Sequence, residues 1–378
     1  AKDSVHDAIA ILNGEILASG AAADIMPFAG PRPKKVDLGR KAAIPGFVDG
    51  HPHMDGLGLR MAKPSFEGIS SIDEALEIIR KEVAKRKPGE WIICNPIGNE
   101  PEVFRFPGAL REGRWPNRYD VDKVSPDNPV YIEPPGLVAP GIAIANSAAI
   151  RIAGITAKTE TPSGIEIELD SAGEPTGVFR DFNFPKLMPD TYGLVRGKRA
   201  VFPMVPAFTQ ADMNRAVEVA MHTFNKVGVT AIYEGHGIPK LQQHAYLDLW
   251  LRKALTVRTY FVISHGPPMF ADPAAGEALI AETALYAGGD GFGDDLLKFG
   301  GLGYSFDSAT AIGACLMRKP YVGARGHEWT GIQLTSDEVF LDGLRKAARA
   351  GLRVQVQCAG GAAIDKVLGM FEAIDREI

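Results

Sequence analysis

Cysteine is scarce in this chain: three in 378 residues, Cys94, Cys315 and Cys358, odd in number and far apart. That argues against a disulfide framework and for a reducing compartment, so a cytoplasmic location is expected. No run reaches the 18 apolar residues that a membrane span needs, and no charged-then-apolar leader opens the sequence. Positive charge is not in excess. Lys and Arg number 41 against 46 Asp and Glu, a net charge of −5. Nucleic acid and anionic membrane are therefore not expected as partners. The basic run Arg111 to Arg118 lies among Pro, Gly and Asp and reads as a solvated loop. Repeats and low-complexity tracts are also missing. What remains is an ordinary globular composition, 46% hydrophobic and 23% charged, long enough to bury a large core.

The N-terminal region reads as short β-structure. Ala8–Leu12 and Glu15–Ala18 flank Asn13-Gly14, a hairpin signal, and Lys35–Leu38 is a third expected strand. Ile44 to Val48 is an apolar strand with Pro45-Gly46 near its start. A helix is expected over 71–87, capped by Ser71 with Glu74 closing the box, and striped by Ile72, Ala75, Leu76, Ile79 and Val83. Residues 95–205 are rich in Pro and Gly and read as an inserted subdomain of short strands and loops. From Thr209 the pattern changes to alternating helix and strand. Strands are expected at 229–233, 257–263, 296–299 and 352–358, with helices from Thr209 to Gly228, from Thr335 to Gly351, and over 362–377. Such alternation implies a parallel sheet whose active site lies at the C-terminal ends of the strands.

Those ends carry the polar residues. His51 and His53 follow the first strand, two apart, so both project to one side and suit a divalent metal. Glu234 and His236 follow the next strand. Glu234 has two readings, a metal ligand or a loop cap. His236 has two as well, a substrate contact or a structural histidine. Ser264-His265 runs into Gly-Pro-Pro, where a turn-capping role competes with ligation. Lys298 sits in an apolar strand, where a lysine is costly unless paired or modified. Either CO2 has carbamylated it into an oxygen ligand, or a buried stem carries the charged head outward. Gln357 and Cys358 close the last strand.

Together these segments resemble the amidohydrolase superfamily of metal-dependent hydrolases, in its amidohydrolase-3 (YtcJ-like) branch. The specific motif is Pro45-Gly46-Phe47-Val48-Asp49-Gly50-His51-Pro52-His53. Weaker matches fall in the right order: 13–20, 36–39, 124–130, 173–178, 228–230, and Lys298 within Leu-Leu-Lys-Phe-Gly-Gly. The resemblance implies an α/β fold, a (β/α)8 TIM barrel of which this chain holds about five strands, with a urease-type β-sandwich portion. The implied division is 1–43 sandwich, 44–56 first barrel strand, 57–205 insertion, and 206–378 barrel strands two to five. It implies His51 and His53 as metal ligands for one or two ions, most simply zinc, a small-molecule substrate, and Lys298 as the carbamylated candidate; Glu234 is a further candidate ligand that, like His236 or His265, could substitute for a missing one. His236 and His265 are the catalytic candidates and Gln357 and Cys358 line the substrate.

Two departures stand out. The family's fifth strand ends in a metal-binding His, where this chain has Gln357. The family's sixth-strand His and eighth-strand Asp have no counterpart here, so an oligomer, a second chain completing the barrel, or a fragment is expected. The reaction implied is hydrolysis of an amide, cyclic amide or N-acyl carbon–nitrogen bond by metal-activated water. Hydrolase or lyase action on a cyclic carbonyl compound is a second reading, and a non-catalytic scaffold subunit is a third.

Overall fold

The computed structural model describes residues 5–98, 102–135, 141–161, 165–181, 204–238, 240–264, 273–307, 310, 313–322 and 326–377. Two compact units emerge, Ala1–Pro45 and Gly46–Ile378.

In the first unit, strands β1 (Ala8–Leu12) and β2 (Glu15–Gly20) pair antiparallel. Asn13 (φ 52°) and Gly14 (φ 86°) turn the chain in the left-handed region, which is why Asn-Gly stands there. A short helix α1 (Ala22–Ile25) follows. The strand expected at Lys35–Leu38 does not form. The Asp37 carboxylate accepts the Gly39 amide at 2.8 Å and turns the chain instead.

The second unit opens with β3 (Phe47–Asp49) and α2 (Met54–Met61). Then come α3 (Ile72–Val83), β4 (Ile92–Cys94), α4 (Arg118–Val121), β5 (Val130–Ile132), β6 (Gly141–Ala145), α5 (Ser147–Ala153), β7 (Ile165–Leu169) and β8 (Pro175–Asp181). The five strands from β4 to β8 form one sheet in the order β4-β5-β6-β8-β7, parallel only between β4 and β5. Helix α3 buries Ile72, Ala75, Leu76 and Ile79 in this sheet's core. Ser71 caps it as expected, while the Glu74 carboxylate reaches back one residue further, to the Ser70 amide at 2.6 Å.

The alternating region supplies α6 (Gln210–Lys226), β9 (Val229–Ile238), α7 (Lys240–Leu251), β10 (Arg258–Ile263), α8 (Pro273–Ala287), β11 (Phe292–Gly293), β12 (Leu297–Ser305), the small hairpin β13 (Tyr321–Val322) and β14 (Glu328–Trp329), α9 (Asp337–Arg349), β15 (Val354–Gln357) and α10 (Gly361–Glu377). Strands β3, β9, β10, β12 and β15 lie side by side, all parallel. This curled five-strand sheet is the expected portion of a (β/α)8 barrel. Thr209 and Asp212 make a reciprocal capping box on α6, whose Met213, Ala216, Val217 and Ala220 enter the core. Among the described residues, no helix is long and apolar enough to cross a membrane.

Two elements differ from expectation. Ser336, not Thr335, caps α9, its hydroxyl accepting the Val339 amide. Strand β12 runs nine residues rather than four, through Gly300, Gly301 and Gly303. Glycine reads as loop, but here the neighbours press in. A Cβ on Gly300 would lie 1.8 Å from the Tyr260 hydroxyl, and one on Gly303 2.8 Å from the Gly237 amide nitrogen. The outer edge of β12 is shared: β11 pairs with it at Lys298 and Phe299, and β15 takes over from Leu302 to Ser305.

Candidate metal centre at the strand ends

His51 and His53 follow the C-terminal end of β3. Their ring centroids are 5.7 Å apart and the planes cross at 82°. Each ring's centre lies roughly 3 Å from an ion it ligates, given Zn–N bonds of about 2 Å. Two rings sharing one ion thus have centroids about 6 Å apart at most, and this pair fits. Burial, then the charge of His51 and of Arg60, push the His53 imidazole down to about 4, with Asp49 pulling the other way. At neutral pH His53 carries a lone pair rather than a second proton, as ligation requires.

Glu234 lies on β9 between Tyr233 and Gly235, and its side chain enters the helix layer. Its Oε1 accepts the Met54 amide at 3.1 Å and the Tyr246 hydroxyl, from α7, at 2.8 Å. A carboxylate from 180 residues away thus caps the first turn of α2, directly after the histidine pair. Oε2 has no hydrogen-bond partner among the described residues. Burial, and next the neighbouring Asp55, push the Glu234 carboxyl well above the usual carboxylate range. Asp55, in that same first turn, is fully buried and raised by burial too. Neither of its oxygens makes a well-formed hydrogen bond among the described residues. The Gly56 amide and the Gln242 side chain lie only near enough to draw its pKa back somewhat.

Lys298 is the second residue of β12, so seven residues of strand lie beyond it. It is in register with Tyr260, which is in register with Tyr233, the two rings 5.1 Å apart. This half-buried row alternates with Ile232, Thr259 and Leu297, which are buried against the helices. Beside the tyrosines, Val262, Gly300, Arg353 and Gln355 help line a cavity of about 560 Å3. Lys298 makes no ion pair with a described residue. At the far end of the sheet, Gln357 accepts the Ser305 hydroxyl at 3.1 Å, and burial pushes the Cys358 thiol up to about 11. His265 and the side chain of His236 lie outside the described residues, although the backbone of His236 belongs to β9. Among the described residues, no three His, Cys, Asp or Glu side chains converge as a ready metal site. The structure thus brings His51 and His53 together, with Glu234 and Asp55 at the adjacent helix start. Lys298 and Gln357 stand on other strands.

Sequence reasoning missed Asp55 and Asp307. Asp55 carried a signal, a carboxylate in the first helical turn after a His-x-His pair. Asp307 carried none. It is 2% exposed, just past β12, and accepts three backbone amides: Ala359 on Oδ1 at 2.8 Å, and Gly360 and Leu316 on Oδ2 at 2.8 and 2.9 Å. A third missed feature lies where the inserted sheet meets α2. Lys63 and Glu133, 7% and 4% exposed, form a buried ion pair, and the Lys63 ammonium sits 4.7 Å from the centre of the Phe208 ring.

The chain is similar to the N-substituted formamide deformylase of Arthrobacter pascens, 26% identical over all of this chain and 64% of that protein. It is equally similar to Protein LONG AFTER FAR-RED 3 of Arabidopsis thaliana, 26% identical over 97% of this chain and 58% of that protein. The chain therefore spans about three-fifths of the length of these curated relatives. Among solved structures, an uncharacterized metal-dependent hydrolase from Pyrococcus furiosus shares the fold, with a TM-score of 0.66 at 20% identity over 97% of this chain and 66% of that one. The model of the Amidohydrolase family matches residues 34–377, the His-x-His strand and the parallel sheet included, and the chain belongs to that family.

Proposed function

We propose that this chain carries site residues of a metal-dependent hydrolase that cleaves carbon–nitrogen bonds of small molecules, whether amide, cyclic amide or N-acyl. The observation that carries the proposal is the His51–His53 pair, set at the end of the first barrel strand with His53 kept neutral. Family membership and the formamide deformylase among the relatives support the bond type.

His51 and His53 would hold the ion, most simply zinc, and Glu234, whose Oε2 has no hydrogen-bond partner among the described residues, is proposed as a further oxygen ligand. A divalent ion bound there would activate water at neutral pH and polarise the scissile carbonyl. The chain's own residues set the stage for that chemistry. Glu234 and Tyr246 fix the first turn of α2 and with it the angle at which His53 leaves the strand. Ser305 orients the Gln357 amide, which stands to bind a substrate carbonyl or N–H. His236 and His265 are proposed as donors to the oxyanion and the leaving group. Lys298, facing the same side as Tyr260, is proposed to bear a carbamate, detectable by 13CO2 incorporation.

Elemental analysis of chelator-free protein tests the proposal. Zinc near one or two equivalents, lost in His51→Gln and His53→Gln, is the expected result. Folded protein without zinc or another transition metal would sink it and leave the scaffold reading.

A further inference from the structure

We propose that Asp307 is a positioning residue that bolts two active-face loops together, holding the β13–β14 hairpin and the Gln357 turn as one unit. The inference rests on reading the strand ends as the site. Among the described residues after β12, Tyr321–Val322 and Glu328–Trp329 pair as the β13–β14 hairpin, in which Tyr321 and Trp329 lie 6.2 Å apart and His327 and Trp329 6.5 Å apart. The next loop, 358–360, joins β15 to α10 directly after Gln357. Both lie at the C-terminal ends of parallel strands, where loops carry function.

Asp307 touches both. Its carboxylate takes one amide from the first loop, Leu316, and two from the second, Ala359 and Gly360. Charge-assisted hydrogen bonds to a carboxylate are stronger than neutral ones; the one from Gly360 is buried and those from Leu316 and Ala359 are half-buried. The backbone closes the same joint. Phe306 donates to Gln357 O at 3.1 Å, and Ala362 to Leu316 O at 3.1 Å. The hairpin's base is tied in turn by Met317 to Thr330 O at 2.7 Å and Ile332 to Ala314 O at 3.0 Å. Contact is so close that a Cβ on Gly360 would lie 1.9 Å from Leu316 O. A single carboxylate therefore links the turn that presents Gln357 to the aromatic hairpin across the loop.

The test is amide hydrogen exchange on the 378-residue chain, wild type against Asp307→Asn, with zinc content measured alongside. Asparagine keeps one acceptor and turns an N–H2 toward a backbone N–H. Gly360→Ala is the second variant, forcing the same joint apart from the other side. Expected in both is at least tenfold faster exchange at Leu316, Ala359 and Gly360 and across 321–322 and 328–329, with zinc unchanged. For N-benzylformamide as probe, KM should rise about tenfold with kcat within a factor of three. Asp365→Asn, which breaks only the exposed Arg318 pair, should do none of this. Faster exchange confined to the three bonded amides, or unchanged KM, would overturn the proposal by leaving Asp307 a local bond only. Turnover of the probe by wild type bears on the proposed function, whereas exchange across the hairpin decides the clamp by itself.

Discussion

Gly58 lies where α2 crosses α6, and an added methyl there sets two effects of known size against each other. Alanine in a helix is favoured over glycine by about 1 kcal/mol. Against this, a Cβ on Gly58 would sit 1.9 Å from Ala216 O, 2.3 Å from its carbonyl carbon and 2.9 Å from its Cα. These are backbone atoms of a buried helix and have no rotamer to escape into. Restoring an ordinary contact near 3.4 Å needs α2 to lift by about 1.5 Å, and overpacking on that scale costs about 1–3 kcal/mol or more. Steric cost should win, so Gly58→Ala is expected to lose about 1–2 kcal/mol in urea unfolding. It should also weaken metal retention at the proposed site, because His53 immediately precedes α2. Gly56→Ala is the internal control. Its Cβ would meet only the His53 Cβ, at an ordinary 3.7 Å, so it should be neutral or stabilised by up to about 1 kcal/mol. Equal stability of the two variants would refute the close crossing.

Three further outcomes follow from the site. In metal-free protein, the depressed His53 pKa means stability is intact above pH 6.5 and lost as pH falls toward 4. The loss should be about 2 kcal/mol after allowing for partial exposure, and His53→Asn should flatten that limb of a urea-versus-pH series. Glu234 has the opposite sign, since a raised carboxyl stabilises at low pH and loses that contribution as pH rises through its folded pKa. Glu234→Gln should match wild type at pH 5 and exceed it at pH 8 in the stripped protein, and a variant weaker at both would contradict the buried repulsion with Asp55. Lys63→Met or Glu133→Gln should each cost about 3–5 kcal/mol by stranding the partner, while Lys63→Met with Glu133→Leu costs less than either alone; additive losses in a double-mutant cycle would argue against the pair.

What was legible in the sequence is what local chemistry dictates. Asn13-Gly14 needs left-handed backbone and gets it, and Thr209 with Asp212 announces its helix. His51 and His53 are read from a two-residue spacing. What was not legible depends on partners far along the chain. Glu234 gave no local sign that its Oε1 would meet the Met54 amide, 180 residues away, and the Tyr246 hydroxyl. Asp307 has no local signature, because its three amides lie 9, 52 and 53 residues away. Strand β12 was cut short because its glycines answer to Tyr260 and Gly237, which the local sequence does not reveal. Lys298 was placed in the correct strand, but its height within it follows from pairing to Tyr260.

The Lys63–Glu133–Phe208 contact bears on how this fold can be recombined. Glu133 directly follows a strand of the inserted sheet, whereas Lys63 trails the helix behind the His51–His53 pair and Phe208 leads into the first long barrel helix. The joint between the two parts is therefore ionic and dry. An inserted sheet transplanted alone onto another barrel would arrive with a carboxylate lacking its ammonium. A chimera exchanging this region between homologues should keep its fold only if residues 63, 133 and 208 travel as a set.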